Sequence, residues 1–211
     1  MSQTFGRTRW KRFAIVMVPT IAATAAVGVS IAQGALAASF SISGVPATVT
    51  AAKLHGVGFS QYGTVDVDRG GSAVPVAVSG FSTAKITDMC QSVPLKTPLG
   101  TYTLTITAGD NGKPVSAGSI FLDMTDLQAQ SATFKNIDIG VATGSITKGP
   151  VNPGDVSRKA VDPDAFAQEA DSADLVGVKQ SSLATTAGTF TLTNMHLGIV
   201  SGDHPCTVPK Q

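Results

Sequence analysis

Two serines have the surroundings closest to those of a hydrolase nucleophile. Ser60 and Ser82 each follow a Gly-Phe pair. An esterase nucleophile needs small neighbours on a sharp turn, because its hydroxyl must project and backbone amides must reach the oxyanion. A carboxylate and an imidazole base would complete a triad. The candidates for these two roles are Asp171, Asp174, Asp203, His196 and His204.

The strings around both serines depart from the esterase motif G-x-S-x-G. The string 58–63 is one residue too long, and the string 80–84 ends in Ala84 where the motif has glycine. We therefore predict no catalytic residue and favour a non-enzymatic protein. The alternative is a serine ester hydrolase that uses Ser60 or Ser82 as nucleophile and His196 or His204 as base.

Neither a metal site nor a cofactor site is predicted. His55, His196 and His204 are the only histidines, and their spacing is not that of a metal-ligand pair. The string 66–71, with two aspartates and two glycines, lacks the third oxygen ligand and the downstream glutamate of a calcium loop. We expect a solvated hairpin turn at that position.

The two cysteines, Cys90 and Cys206, are expected to form a disulfide. Both lie in the part of the chain that we expect to be exported, and an oxidising compartment favours pairing. Two unpaired thiols are the alternative. A metal site is disfavoured because His204 and Cys206 have no second ligand pair elsewhere.

Residues 1–37 are predicted to be an export signal. Four basic residues precede an apolar run at 13–32, and Ala35-Leu36-Ala37 fits a cleavage site. The run has 20 residues and is long enough to span a bilayer, so an uncleaved membrane anchor is the alternative. Either outcome places residues 38–211 outside the cytoplasm as a single β-rich domain.

The remaining chain has the pattern of an all-β protein. Alternating segments predict strands, and the fold class is a β-sandwich or a flattened β-barrel. Asn111-Gly112 predicts a tight turn that joins two of these segments in a hairpin. We expect a surface loop over 147–161 and a short helix over 162–171 that begins at Asp162-Pro163. The predicted strand segments are 47–59, 73–79, 84–90, 101–108, 115–124, 132–141, 173–180 and 189–200.

The chain resembles itself, which suggests an internal duplication. Residues 84–92 align with 173–181, and residues 100–105 align with 188–193. The predicted half-repeats are about 38–146 and 162–211, on either side of the loop.

The composition argues against a nucleic-acid partner and is compatible with an apolar one. The formal net charge is +1 and charged residues make up 14%, so no nucleic-acid partner is expected. The body is apolar for its charge, since hydrophobic residues make up 43% of the chain. Strands of this kind could enclose a lipid-sized cavity.

Five segments carry a family resemblance. They are MCQSV at 89–93, GTYTLTITAG at 100–109, ATFKNIDIG at 132–140, FAQ at 166–168 and the stretch 184–206. Over nearly its whole length the chain resembles a family of exported actinobacterial proteins of unknown function, whose members are often labelled cholesterol esterase. The resemblance implies a secreted or cell-surface protein, fits a disulfide between Cys90 and Cys206, and supplies no catalytic residues.

These observations lead to one expected function and two alternatives. We expect a non-enzymatic, exported envelope or cell-surface protein that binds an apolar small molecule, a lipid or a protein partner. The membrane would be a further partner through residues 1–37 if these stay attached. The alternatives are a lipid ester hydrolase and a structural surface component that assembles with itself.

Overall fold

The computed structural model describes residues 44–209. The predicted export signal lies outside these residues, so cleavage and anchoring remain predictions. Within residues 44–209, none of the helices combines the length and the apolar character needed to cross a bilayer.

Nine strands account for most of the described chain, which confirms the predicted all-β class. Two short helices lie between the seventh and eighth strands: a 3-10 helix, Thr143–Ser145, and one α-helix, α1, Pro153–Ser157. The strands are β1 Ala47–Val67, β2 Ala73–Thr87, β3 Met89–Thr97, β4 Gly100–Ala108, β5 Val115–Gln128, β6 Ser131–Lys135, β7 Asp138–Ala142, β8 Phe166–Thr191 and β9 His196–Ser201.

All nine strands belong to one antiparallel sheet that closes on itself. β1 pairs with β2, β2 with β5, and β5 with β8, and β8 pairs back to β1. These four strands form a closed circuit of hydrogen-bonded pairs, called the ring below. Closure turns one face of the sheet inward, as in the predicted flattened barrel.

β8 closes the ring because it uses both of its edges. One edge pairs with β1 from Ala167, opposite Tyr62, to Ser182, opposite Ala47. The other edge pairs in turn with β7, β6 and β5. A single strand of 26 residues therefore links elements from the whole length of the domain.

β3, β4 and β9 extend the sheet beyond the ring, and the C-terminal tail packs against them. β3 pairs with the first residues of β1, and β4 lies between β3 and β9. Thr103 Oγ1 donates to the Gly202 carbonyl at 2.8 Å, and the Cys206 amide donates to Ser92 Oγ at 2.9 Å. The predicted disulfide is present between Cys206 and Cys90 of β3, with the two Cα atoms 5.9 Å apart.

Gly58 changes which residues of β1 face the interior. It has a φ of +66°, a conformation that glycine adopts at little cost. Before it, Leu54 faces inward; after it, Phe59 and Gln61 face inward. Strict alternation would have turned Phe59 outward. The step lets one long strand follow the curvature of the ring.

The inward side chains form the main hydrophobic core. The phenyl group of Phe59 packs against those of Phe81 and Phe134, at distances of 5.4 and 5.1 Å between group centres. Both distances are within the range of favourable aromatic pairs. The other large members of this core are Leu54, Ile86, Met89, Val115, Ile120, Leu122, Met124, Leu175 and Val178.

Residues 143–165, called the strap, cross the outer face of β1 and β2. Thr64 Oγ1 donates to the Ala160 carbonyl at 2.7 Å. The buried Glu169 carboxylate accepts the Thr147 and Lys148 amides, each at 2.6 Å. A second apolar cluster lies under the strap and contains Tyr62, Val76, Val78, Phe121 and Ala167. The ring is thus buried on both faces in this region.

The predicted helix over 162–171 is wrong. Asp162 accepts the Asp164 amide at 3.0 Å in a local turn, and the chain from Phe166 onward is strand β8. Pairing with β1 overrides the local helix signal. A capping residue followed by proline does begin a helix earlier in the chain, inside the predicted loop. There Asn152 caps α1, and Pro153 is its first residue.

The predicted hairpin between 101–108 and 115–124 is also wrong. Both strands and the turn exist, but β4 pairs with β3 and β9, whereas β5 pairs with β2 and β8. The Gly109 amide donates to the Thr193 carbonyl at 2.8 Å, so the turn is tied to the chain before β9.

The segments behind the proposed duplication lie in different structural contexts. Residues 84–92 and 100–105 cover the end of β2, the start of β3 and most of β4, whereas most of 173–193 is the single strand β8. The half-repeats remain a prediction.

We predict that Gly149→Ala destabilises the fold. A Cβ on Gly149 would lie 2.4 Å from the carbonyl carbon of Phe59, and backbone atoms there have no room to move. Overpacking of this kind costs about 1–3 kcal/mol. The free energy of unfolding, measured by urea denaturation, should fall by that amount.

Gly63→Ala is the matched control. Gly63 lies on the same strand as Phe59, and a Cβ there would have no atom within 4 Å. The free energy of unfolding of the Gly63→Ala variant should therefore equal that of the wild type or rise slightly. Equal losses in both variants would contradict the close seating of the strap on β1.

Candidate functional site

The two candidate nucleophiles lie on neighbouring strands of the ring. Ser60, on β1, is fully buried, and its hydroxyl donates to the Pro150 carbonyl in the strap. Ser82, on β2, is exposed. Ser60 therefore ties the strap to the ring.

The two candidate bases lie on the extension of the sheet. His196 begins β9 and is exposed. His204 is in the C-terminal tail, where its Nε2 lies 3.0 Å from the Ser201 carbonyl oxygen and its amide donates to Thr103 Oγ1. Among residues 44–209, neither imidazole hydrogen bonds to Ser60 or Ser82.

Two of the three candidate carboxylates have other partners, and the third, Asp203, is exposed in the C-terminal tail. Asp171 accepts from the Asn136 amide at 3.0 Å, and Asp174 lies 2.8 Å from His55 Nδ1. The hydrogen bond to His55, with the charges of that imidazole and of Lys53, lowers the pKa of Asp174. This half-buried pair crosses from β1 to β8 and was not predicted from the sequence, because its members are 119 positions apart.

No metal site was found in the described part of the chain. Residues 44–209 contain no group of three or more histidine, cysteine, aspartate or glutamate side chains placed to hold an ion. The string 66–71 forms the expected turn, in which Asp68 accepts the Ser72 amide at 2.8 Å. Asp66 differs from the expectation, since it is buried, with 2% of its surface exposed.

Asp66 belongs to a buried cluster of three carboxylates where the strap meets the ring. The members are Asp66 of β1, Asp123 of β5 and Asp155 of the strap. Asp155, in α1, accepts from Tyr62 Oη at 2.9 Å and from Arg158 Nη2 at 2.6 Å. The same guanidinium lies 3.8 Å from Asp66. One oxygen of Asp66 and one of Asp123 have no hydrogen-bond partner within the described residues.

One cation faces three acids in this cluster, and the pKa values of Asp66 and Asp123 are raised. Burial, and then the charges of Asp66 and Asp155, raise the pKa of Asp123 to about 7, against the opposing effect of Arg158. Burial and the charge of Asp155 also raise the pKa of Asp66. Burial raises the pKa of Tyr62 above its ordinary value, so its phenol stays a hydrogen-bond donor.

The inner face of the ring carries a different feature, an apolar cavity of about 250 Å³. Its mouth is at the turn between β5 and β6, where Leu127, Ala129 and Ala132 are exposed. No charged side chain is among its lining residues. The lining consists of Leu54, Phe59, Gln61, Ser79, Phe81, Leu122, Met124, Leu127, Ala129, Ala132, Phe134, Leu175, Val178 and Gln180.

Three polar side chains line this cavity. Gln61 donates to Ser79 Oγ at 3.1 Å and accepts from Gln168. Gln180 is also buried, on β8. The sequence does not predict it as inward-facing, because alternation from Leu175 would turn it outward. Gly177, with a φ of +63°, shifts the inward positions of β8 by one residue.

These features define an all-β protein whose single antiparallel sheet closes around an apolar cavity and is strapped on its outer face. Residues 43–207 match DUF6230, a family of unknown function, and the chain belongs to that family. Searches of curated proteins and of solved structures found no match.

We predict that Asp123→Asn changes how stability depends on pH. In the folded protein Asp123 keeps its proton up to about pH 7, against an ordinary pKa of 3.8. The folded state binds the extra proton between these values, so the wild type loses stability as pH rises from about 4 to 7. The asparagine variant lacks this loss. Its stability relative to the wild type should rise by on the order of 4 kcal/mol between pH 4 and pH 8.

The measurement is urea denaturation at several pH values. Asp126→Asn is the control, because Asp126 lies on the same strand and is exposed. A stability difference between Asp123→Asn and the wild type that does not change with pH would show that Asp123 is ionised in the folded protein.

Proposed function

We propose that this protein is a non-enzymatic binding protein that holds an apolar ligand inside its ring. The observation that carries the proposal is the cavity, which is lined by side chains from β1, β2, β5, β6 and β8. Protein cores are normally packed to high density. The cavity is slightly smaller than most ligand pockets, but an apolar lining with a few polar groups and one opening is typical of sites in which proteins bind small molecules.

The size of the cavity limits the ligand. An engineered cavity of about 150 Å³ binds benzene, so each carbon atom needs roughly 25 Å³. The 250 Å³ here then accommodate about ten carbon atoms. A fused-ring lipid is too large to enter whole. A linear alkyl or acyl chain fits, with its remaining atoms emerging between Leu127, Ala129 and Ala132.

The chemistry of the lining limits the ligand further. A charged group moved from water into this cavity would meet no compensating charge and would lose its hydration. Hydrocarbon moved into the same space gains about 25 cal/mol per Å² of buried apolar surface. The buried part of the ligand is therefore an uncharged chain.

An exported location is part of the proposal. The disulfide between Cys90 and Cys206 supports an oxidising compartment, and residues 1–37 have the composition of an export signal. A secreted or envelope-attached protein of actinobacterial type would meet alkyl chains in the surrounding lipids. The ester hydrolase and the self-assembling surface component remain alternatives, with no contact in residues 44–209 that favours them.

We predict that Ala132→Trp blocks binding. Ala132 lies at the mouth and lines the cavity, so an indole there would fill the entrance. N-Phenyl-1-naphthylamine fluoresces more strongly in apolar surroundings, and its naphthalene group has about the ten carbon atoms that the cavity accommodates, while its phenyl group would emerge at the mouth. It should bind the wild type saturably with one site and be displaced by 1-decanol. Its affinity for Ala132→Trp should fall at least tenfold.

Thr133→Trp is the matched control. Thr133 is the next residue of β6, is exposed, and does not line the cavity. It should bind the fluorophore like the wild type. Absence of saturable binding to the wild type, or equal binding by both tryptophan variants, would overturn the proposal.

A further inference from the structure

Gln180 is the one polar side chain of the cavity that lacks a partner. It sits in the middle of β8, opposite Val49 of β1 and Leu127 of β5, and only 4% of its surface is exposed. Within the described residues no hydrogen bond to its side-chain amide is present, whereas Gln61 and Ser79 bond to each other. In the described residues, the fully buried side-chain atoms without a partner are those of Asp66 and Asp123. The Gln180 amide therefore keeps some accessible surface, and what it meets in the cavity requires an explanation.

The position of Gln180 shows where a partner would have to be. It lines the large cavity and also a smaller void of about 30 Å³. The two spaces share Leu54, Leu122 and Val178 as further walls. Gln91 and Thr185 also line the smaller void. The Gln180 side chain therefore lies at the boundary between the two spaces, where the other shared walls are apolar.

We propose that Gln180 determines specificity, by selecting apolar chains that carry one neutral hydrogen-bonding group, such as an alcohol or an ester carbonyl. This inference rests on the proposed binding of a chain in the cavity. The amide offers two donors and one acceptor oxygen. An alcohol can use either, and an ester carbonyl can accept from the nitrogen. A hydrocarbon leaves the amide unpaired.

The same site discriminates against carboxylates. Neither space has a lysine, arginine or histidine among its lining residues. A neutral amide does not compensate for burying a full negative charge. A fatty-acid anion is therefore expected to bind more weakly than the alcohol of equal length.

The competing explanation is an ordered water. The smaller void has about the volume that one water occupies in the liquid, and a water there would satisfy the amide without any ligand. In that case the amide would contribute nothing to the choice between ligands, and the experiment separates the two explanations on this point.

The experiment compares three competitors on the full exported domain. Octane, 1-octanol and octanoate each displace N-phenyl-1-naphthylamine from the wild type, from Gln180→Leu and from Lys179→Leu. Lys179 is the matched control, since it is the preceding residue of β8, is exposed and does not line either space. The measured quantity is the ratio of the octane and octanol dissociation constants, because this ratio cancels effects common to both ligands.

We expect the ratio to favour octanol about tenfold less in Gln180→Leu than in the wild type, the effect of one hydrogen bond. Lys179→Leu should keep the wild-type ratio, and octanoate should bind the wild type more weakly than octanol. An unchanged ratio in Gln180→Leu, with the fluorophore still bound, would overturn this inference and leave the proposed function intact.

Failure of the wild type to bind the fluorophore would overturn the proposed function itself. Binding of the fluorophore by Gln180→Leu also reports that the cavity of this variant is folded. If leucine at this position prevents folding, Gln180→Met has a more flexible side chain of similar size and is subject to the same expected loss.

Discussion

The hydrogen-bonded pairing of β8 with β1 is the interaction on which the rest of this structure depends. It joins residues 167–182 to residues 47–62, segments that are far apart in the chain, and it converts an open sheet into the ring. Without it, Leu54, Phe59 and Leu175 would face water, since they have no second layer to pack against. Pairings of such long range are late and slow steps in folding. The disulfide between Cys90 and Cys206 closes a loop that contains β8 but not β1, so it restrains the unfolded chain around one of the two partners.

Closure imposes a second constraint, because the strands must bend while their hydrogen bonds are kept. Gly58 and Gly177, with φ of +66° and +63°, shift the inward positions by one residue on the two strands that close the ring. After the shift at Gly58, both faces of β1 are buried: Phe59 faces the core, and Tyr62 lies under the strap. The polar groups on that outer face must then be satisfied by the strap. This explains why Ser60 and Thr64 donate to strap carbonyls.

The sequence predicted the all-β class and the cysteine pair, because both follow from local composition and from a count of two cysteines. The predictions from the sequence were wrong where pairing between distant strands determines the local structure. Asp162-Pro163 has the signal of a helix start, yet the chain that follows becomes β8 because β1 needs a partner. The turn around Asn111 has the signal of a hairpin, yet its two strands find other partners. Gln180 lay beyond prediction because which face of a strand is buried depends on steps such as Gly177, which alternation alone does not locate. The burial of Asp123 lay beyond prediction because the sequence does not show that the outer face of β5 is covered.

Buried polar groups in this protein fall into two kinds, and the difference argues for where function lies. Those between ring and strap are numerous and mostly satisfied by the chain itself, as the Glu169 carboxylate is by two amides. The unpaired oxygens of Asp66 and Asp123 belong to carboxyl groups whose pKa values are raised by burial, which favours the neutral form and lowers the cost of burying them. The inner face has one unpaired amide, that of Gln180. An amide is neutral already, so a change of protonation cannot lower the cost of leaving it unpaired. Such a group is satisfied by a molecule that enters the cavity, either a water or the polar group of a ligand, so the choice between these two partners decides whether the inner face has a role in recognition.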